Sequence, residues 1–255
     1  MSNEIRMSLG GNQHRMEPEQ DAMTVAFGKL AQVAASRGEL FRTLAEGFWD
    51  PTPELVQGLV DGSWPAHLKD SLAWLGEDQA VFGGAVGLFD EAARLAQGST
   101  PADFLQQLKI TYASLFLGPP KPLVQPYESL YRDFGEPGEA VLFVGPSALA
   151  VEKAYRDAGL ALSPDVREPP DHIATEFEFL YYLCQQEIQG WQNADPVAAR
   201  NWRQTERQFI EEHLLQWARP FFQEVSRLSD SVFYRGLAEL GRVTVEMEGG
   251  AFRPA

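Results

Sequence analysis

EPPDHIATEFEFLYYL, residues 168–183, opens with a proline pair that stops the chain and continues into a run with helical spacing. Ile173, Phe177, Leu180, Tyr181, Cys184 and Ile188 recur at the 3.6-residue period, so the segment carries one apolar face and ends near Gly190. With Asp171 as N-cap, its carboxylate would accept first-turn amides and its charge would suit the positive helix end. His172 then becomes the first helical residue, one turn before Glu176, and the two stand at the rim of the buried face. An Asp–His start of this kind could be a metal site, a general base, a cap or a hook for a partner.

The same period extends through most of the chain. Leu40, Phe41, Leu44 and Phe48 form one stripe, broken at Asp50-Pro51-Thr52-Pro53. Helices are predicted near 53–60, 65–75 and 78–97, with Gly83-Gly84 weakening the last. Thr100 caps a helix with Pro101 in its first turn and Gly118 at its end, and Ser147 caps another that closes at Gly159. Asp195-Pro196 starts a helix reaching about 218, and Pro220 and Ser231 mark two more. VLFV (141–144) and VTV (243–245) are too short to make a sheet. The expectation is an all-α fold, a single helical bundle of roughly nine or ten helices spanning 21–248. A disordered arm over 1–20 and a flexible tail over 249–255 flank it.

One stretch resists the pattern. GPPKPLVQPYESLYRDFGEPGEAVLFVGPS, residues 118–147, holds six of the chain's 17 prolines. Proline lacks the N–H and clashes with the preceding turn, so this segment is an irregular, proline-rich loop, a hinge over about 118–146. Long ordered loops in compact domains often carry function.

Charge narrows the partners. The 255 residues include 36 acidic and 21 basic side chains, a net of -15. A phosphate backbone requires Lys and Arg, so nucleic acid is disfavoured, and an anionic membrane surface likewise. No apolar run approaches the roughly 18 to 20 residues of a membrane span. The N-terminal residues form no export signal, and the single cysteine, Cys184, allows no internal disulfide, both of which favour the cytoplasm. Residues 128–178 concentrate the charge, with eleven acidic and four basic side chains, interleaved with Tyr131, Phe134 and Tyr155 and flanked by Tyr127 and Phe179. Carboxylates accept guanidinium bidentately and aromatic faces stack on it, so a peptide bearing arginines and apolar residues would suit this segment. A solvated acidic surface over core-facing aromatics is the alternative.

Catalytic patterns are absent. There is no H-E-x-x-H, no G-x-S-x-G, no G-x-x-x-x-G-K-[ST] and no G-x-G-x-x-G. Cys184 lies twelve positions from His172, about 18 Å along one helix, too far for a nucleophilic pair. A metal-dependent hydrolase using His172 and Glu176 would lack a third ligand unless Asp171 served. No metal and no cofactor is expected.

Three strings carry a resemblance: GPPKPLVQPYESLYRDFG, GPSALAVEKAYRDAGL and EPPDHIATEFEFLYYL. In this order, after a helix ending Y-A-S-L-F-L-G-P, they resemble the TorD/DmsD/NarJ family of redox-enzyme maturation chaperones. The match is best over about 104–190 and extends upstream through RGELFRTLAEGFWDPTPEL to about 37. The resemblance implies a cytoplasmic chaperone without catalytic activity. Its partner would be the catalytic subunit of a DMSO-reductase-type molybdoenzyme, held through its N-terminal twin-arginine leader peptide until the molybdenum cofactor is inserted. Carried onto this chain, peptide binding falls to Tyr127, Glu128, Ser129 and Tyr131 in the loop and to Glu168, Asp171 and His172 at the helix start, with Glu176 one turn on. Some relatives place tryptophan where Tyr127 stands, which keeps an aromatic but changes its contacts. The long proline run also leaves open a monomer or a domain-swapped dimer. A helical adaptor subunit without leader recognition is the competing expectation.

Overall fold

The computed structural model describes residues 17–118, 121–133, 145–163 and 168–250. The expected strand-like VLFV lies outside them, as do most of the N-terminal arm and the tail from residue 251.

Eleven α-helical segments appear among the described residues: α1 (Glu17–Phe48), α2 (Pro53–Val60), α3 (Ser63–Leu72), α4 (Gly83–Gln97), α5 (Pro101–Tyr112), α6 (Ser129–Arg132), α7 (Pro146–Asp157), α8 (Ile173–Gln192), α9 (Pro196–Phe209), α10 (Leu215–Leu228) and α11 (Val232–Glu248). A 3-10 stretch over 73–82 joins α3 to α4, so Gly83 and Gly84 open α4 instead of weakening its middle. No described helix is long and apolar enough to cross a membrane.

The predicted stripe Leu40, Phe41, Leu44 and Phe48 is buried, and α1 runs antiparallel along α8 as its most extensive partner. Phe48 sits in an aromatic cluster with Phe116, Phe177, Phe221 and Phe222, at centroid separations of 5.4–6.4 Å. One core therefore joins α1, α5, α8 and α10. Where α8 meets α9, a Cβ on Gly190 would stand 2.7 Å from the Ala199 nitrogen, so only glycine permits that approach.

Several caps hold as expected. Thr100 accepts the Asp103 amide at 3.1 Å, Asp195 accepts that of Ala198 at 3.0 Å, and Gly159 closes α7 with a φ of 83°. Ser147 does not cap α7. Gly145 takes that position, and the Ser147 amide and hydroxyl both donate to Asp133, at 2.9 and 2.7 Å, tying the end of α6 to the start of α7.

Pro220 was expected to start a helix after a break near 218, yet it lies inside α10. A π-turn over Ile210–Leu214 joins α9 to α10 without a loop. Pro220 faces solvent, where water can satisfy the carbonyl its missing N–H leaves unpaired, while buried Trp217, Ala218, Phe221 and Phe222 hold the helix to the core. The VTV string is helical, within α11. A second π-turn, Ala113–Leu117, extends α5 to Gly118, whose φ of 74° sends the chain into the proline loop.

Candidate functional site

Two loops far apart in sequence are laced together beside the N-terminus of α8. The Glu128 amide donates to the Asp171 carbonyl at 3.1 Å and the Ile173 amide to the Pro126 carbonyl at 2.9 Å, which makes an isolated antiparallel bridge between Tyr127 and His172. The Asp171 carboxylate accepts the Ser129 amide at 2.8 Å, and the Tyr155 hydroxyl fixes the Pro170 carbonyl at 2.9 Å. Tyr127, Glu128, Ser129, Glu168, Asp171 and His172 are thereby brought to one place, with Tyr131 and Glu176 beside them.

The helix start differs from the sequence expectation by one residue. His172, not Asp171, is the N-cap, in extended conformation, and its Nδ1 accepts the Ala174 amide at 3.2 Å. The His172 amide donates to the Pro169 carbonyl at 3.2 Å, closing a turn that aims the Asp171 side chain away from α8 and toward Ser129. Nor is His172 a rim group. It is buried, its ring stacks on Trp49 at 4.7 Å and 12°, and the edge of Tyr127 meets it at 5.3 Å. Burial holds the imidazole pKa down at about 3, so the ring is neutral, with its proton on Nε2 because Nδ1 accepts.

Beneath this layer lies a buried acidic group. Glu128, Asp171 and Glu176 are each fully buried. Glu128 takes the Arg132 guanidinium and lies 2.9 Å from His213 Nδ1, and Arg132 also reaches the Glu212 carbonyl at 3.0 Å. Glu176 faces inward, accepting from the Trp217 indole at 3.4 Å, so it too leaves the rim. Burial raises the Glu176 pKa well above the usual carboxylate range, with Glu128 and Asp171 adding to the shift, and burial raises Asp171 as well. Tyr131 is half-buried against Trp217, its hydroxyl donating to Glu224 at 3.0 Å.

The accessible layer is built from other side chains. The Trp49 indole donates to the exposed Glu178 at 2.8 Å, and the Tyr127 hydroxyl donates to the half-exposed Glu168 at 2.5 Å. Exposed Asp50 follows Trp49 and carries Lys109 at 3.4 Å. The Tyr112 hydroxyl is pushed up to about 12 chiefly by burial, with the charges of Glu168 and Asp50 adding to the shift. Glu168, Tyr127, Trp49 and Glu178 thus form one strip over the buried His172 ring, with Tyr127 and Trp49 between the two carboxylates. Trp49 and Asp50 were not predicted: they stand at the helix-breaking Asp-Pro, and nothing in local spacing links them to position 172.

This arrangement offers acceptors for guanidinium and flat faces for stacking, and no activated nucleophile. The hydrolase alternative does not fit, since His172 caps α8 through Nδ1 and Glu176 points to Trp217 on the other side. Among the described residues, no group of three or more His, Cys, Asp or Glu side chains is arranged to hold a metal.

Comparison with known proteins agrees on the kind of molecule. Residues 77–223 match the model of the nitrate reductase delta subunit family. The chaperone protein TorD of Vibrio parahaemolyticus is 26% identical over 189 residues, covering 73% of this chain and 82% of that protein. The selenate reductase assembly chaperone protein of Thauera selenatis is 32% identical over 151 residues, covering 56% of this chain and 69% of its own length. The probable Tat proofreading chaperone DmsD of Haemophilus influenzae is 30% identical over 141 residues, covering 55% and 60% respectively.

Proposed function

This chain belongs to the nitrate reductase delta subunit family, and from that membership we propose that it is a maturation chaperone, not an enzyme, for the catalytic subunit of a molybdoenzyme. It binds that subunit in the cytoplasm, through an arginine-bearing N-terminal leader, and holds it for cofactor insertion before export or assembly. The chaperone names of its relatives support the first statement. The observation that carries the second is the strip from Glu168 through Tyr127 and Trp49 to Glu178, laid over the buried His172 ring. Its carboxylates stand where guanidinium groups can reach them, and Trp49 and Tyr127 supply the faces a guanidinium stacks on. The net charge of -15 adds long-range attraction for such a leader.

In this reading His172 acts through Trp49. The buried ring stacks under the indole and keeps it upright for Glu178 and for the ligand. Glu128, Asp171 and Glu176 hold the platform together from below without touching the peptide.

The test is a calorimetric titration of the full chain with the leader of the host's molybdoenzyme, identified by affinity capture from anaerobically grown cells. Binding is expected at micromolar Kd or tighter, about -8 kcal/mol. Replacing the paired arginines by alanine should weaken it at least tenfold, and raising the salt should weaken it further. A leader whose binding ignores both changes would overturn the electrostatic reading. Recovery of only the mature, cofactor-loaded enzyme would favour an adaptor subunit instead.

A further inference from the structure

Beside Glu178, a cavity of about 200 Å³ opens between α8 and the segment that leaves α7. Its lining includes Tyr155, Leu160, Leu162, Thr175, Glu178 and Phe179. Thr175, Glu178 and Phe179 come from one face of α8, at i, i+3 and i+4. Leu160 and Leu162 follow the glycine turn at Gly159 and stay half-exposed. The walls are mainly apolar, with one exposed carboxylate at the mouth.

Two observations set this cavity apart. Thr175 is 6% exposed, and its hydroxyl has no hydrogen-bond partner. A buried unpaired hydroxyl costs about 1–3 kcal/mol, so a carbonyl that reached Thr175 from the cavity would make a bond the folded chain lacks. The cavity is also smaller than the roughly 300–1,000 Å³ of small-molecule sites, and it suits a single side chain.

We propose that this cavity is the specificity pocket for an aliphatic side chain, of leucine size, in the same peptide segment whose arginine pairs with Glu178. The inference rests on the leader-binding reading above. The side chain enters between Leu160, Leu162 and Phe179, and the hydroxyl of Thr175 donates to a backbone carbonyl of the entering segment as the wall shifts to admit it. Glu178, bonded to Trp49 on one flank and lining the pocket on the other, couples the two recognitions: a cation and an apolar group must arrive side by side.

The probes are two synthetic peptides, one with paired arginines followed by leucines and one with the leucines replaced by alanine, titrated into the full chain, into Thr175→Val and into Ala161→Trp. Ala161 is exposed and lines the mouth, so tryptophan there blocks entry without disturbing the core. For the wild-type chain, the leucine peptide should bind about tenfold more tightly than the alanine peptide. In Ala161→Trp that ratio should fall to about one, with binding of the alanine peptide unchanged. Thr175→Val should weaken the leucine peptide about fivefold while its Tm stays level or rises, because an unpaired buried hydroxyl has gone. A purely structural Thr175 would move Tm and leave affinity alone. If the wild-type chain binds both peptides equally, or Ala161→Trp keeps the ratio, the pocket assignment is wrong and the arginine site stands. If neither peptide binds, the leader reading fails and takes the pocket with it.

Discussion

Asp171 Oδ2 accepts the Ser129 amide at 2.8 Å, across a separation of 42 positions, and this bond joins the proline loop to the start of α8. Asp171→Ala leaves that amide unpaired beneath the site and should cost about 1–3 kcal/mol. Asp171→Asn keeps an acceptor and relieves the nearby charge of Glu128, so it should change stability by less than about 1 kcal/mol. Urea denaturation of the two variants separates the cases, and hydrogen exchange at Ser129 should rise in the alanine variant alone.

His172 links pH to folding. Its pKa falls from 6.5 unfolded to about 3 folded, because burial disfavours the imidazolium. Between those values the unfolded chain binds a proton that the folded chain does not, so stability is intact above pH 6.5 and is lost as pH falls toward about 3. His172→Asn keeps a capping acceptor and removes the titration. Its stability should fall less steeply with acid than the wild type's, by up to ~1.4 kcal/mol per pH unit in that window. Denaturant titrations at intervals from pH 7 to pH 4 check this.

His172→Ala is a different experiment. Were the histidine a rim group, its loss would affect binding and spare stability. Buried under Trp49 and capping α8, it should cost about 1–2 kcal/mol through the lost cap and about 1 kcal/mol through the lost stack. Thermal unfolding and leader titration should therefore both be impaired.

Away from the site, Arg37 of α1 pairs with Glu187 of α8 and, at 3.3 Å, with Glu206 of α9, and all three are buried. Arg203 joins the same group through Glu206 and Glu248. Arg37→Ala strands buried carboxylates and should destabilise by about 3–5 kcal/mol. A urea midpoint within error of wild type would show that Arg203 suffices alone.

Glu168→Gln and Glu178→Gln remove charge from the accessible strip while keeping acceptors for Tyr127 and Trp49. Each should leave Tm nearly unchanged and weaken an arginine-bearing leader by about threefold to tenfold, with a smaller salt dependence. Titration at two ionic strengths measures both effects.

What short-range spacing dictates was readable from residue order. The stripe from Leu40 to Phe48, the Thr100 cap, the helix start at Asp195-Pro196 and the left-handed Gly159 depend on neighbours within a turn or two, and they stand as read, whereas the proline segment holds the short α6 where no helix was expected. The resemblance to a family grouped the loop with the start of α8, and the two segments lie side by side, bridged at Tyr127 and His172. Which side chains face water was not readable. His172 and Glu176 sit at a rim on an isolated helical wheel, but Trp49, just past the end of α1, covers one and Trp217 of α10 covers the other. The one-residue shift of the cap follows from the Pro169–His172 turn and the pull of Ser129 on Asp171. Pro220 stays helical because its neighbours are anchored in the core. In each case the deciding energy came from a partner distant in sequence, and local periodicity carries no record of such partners.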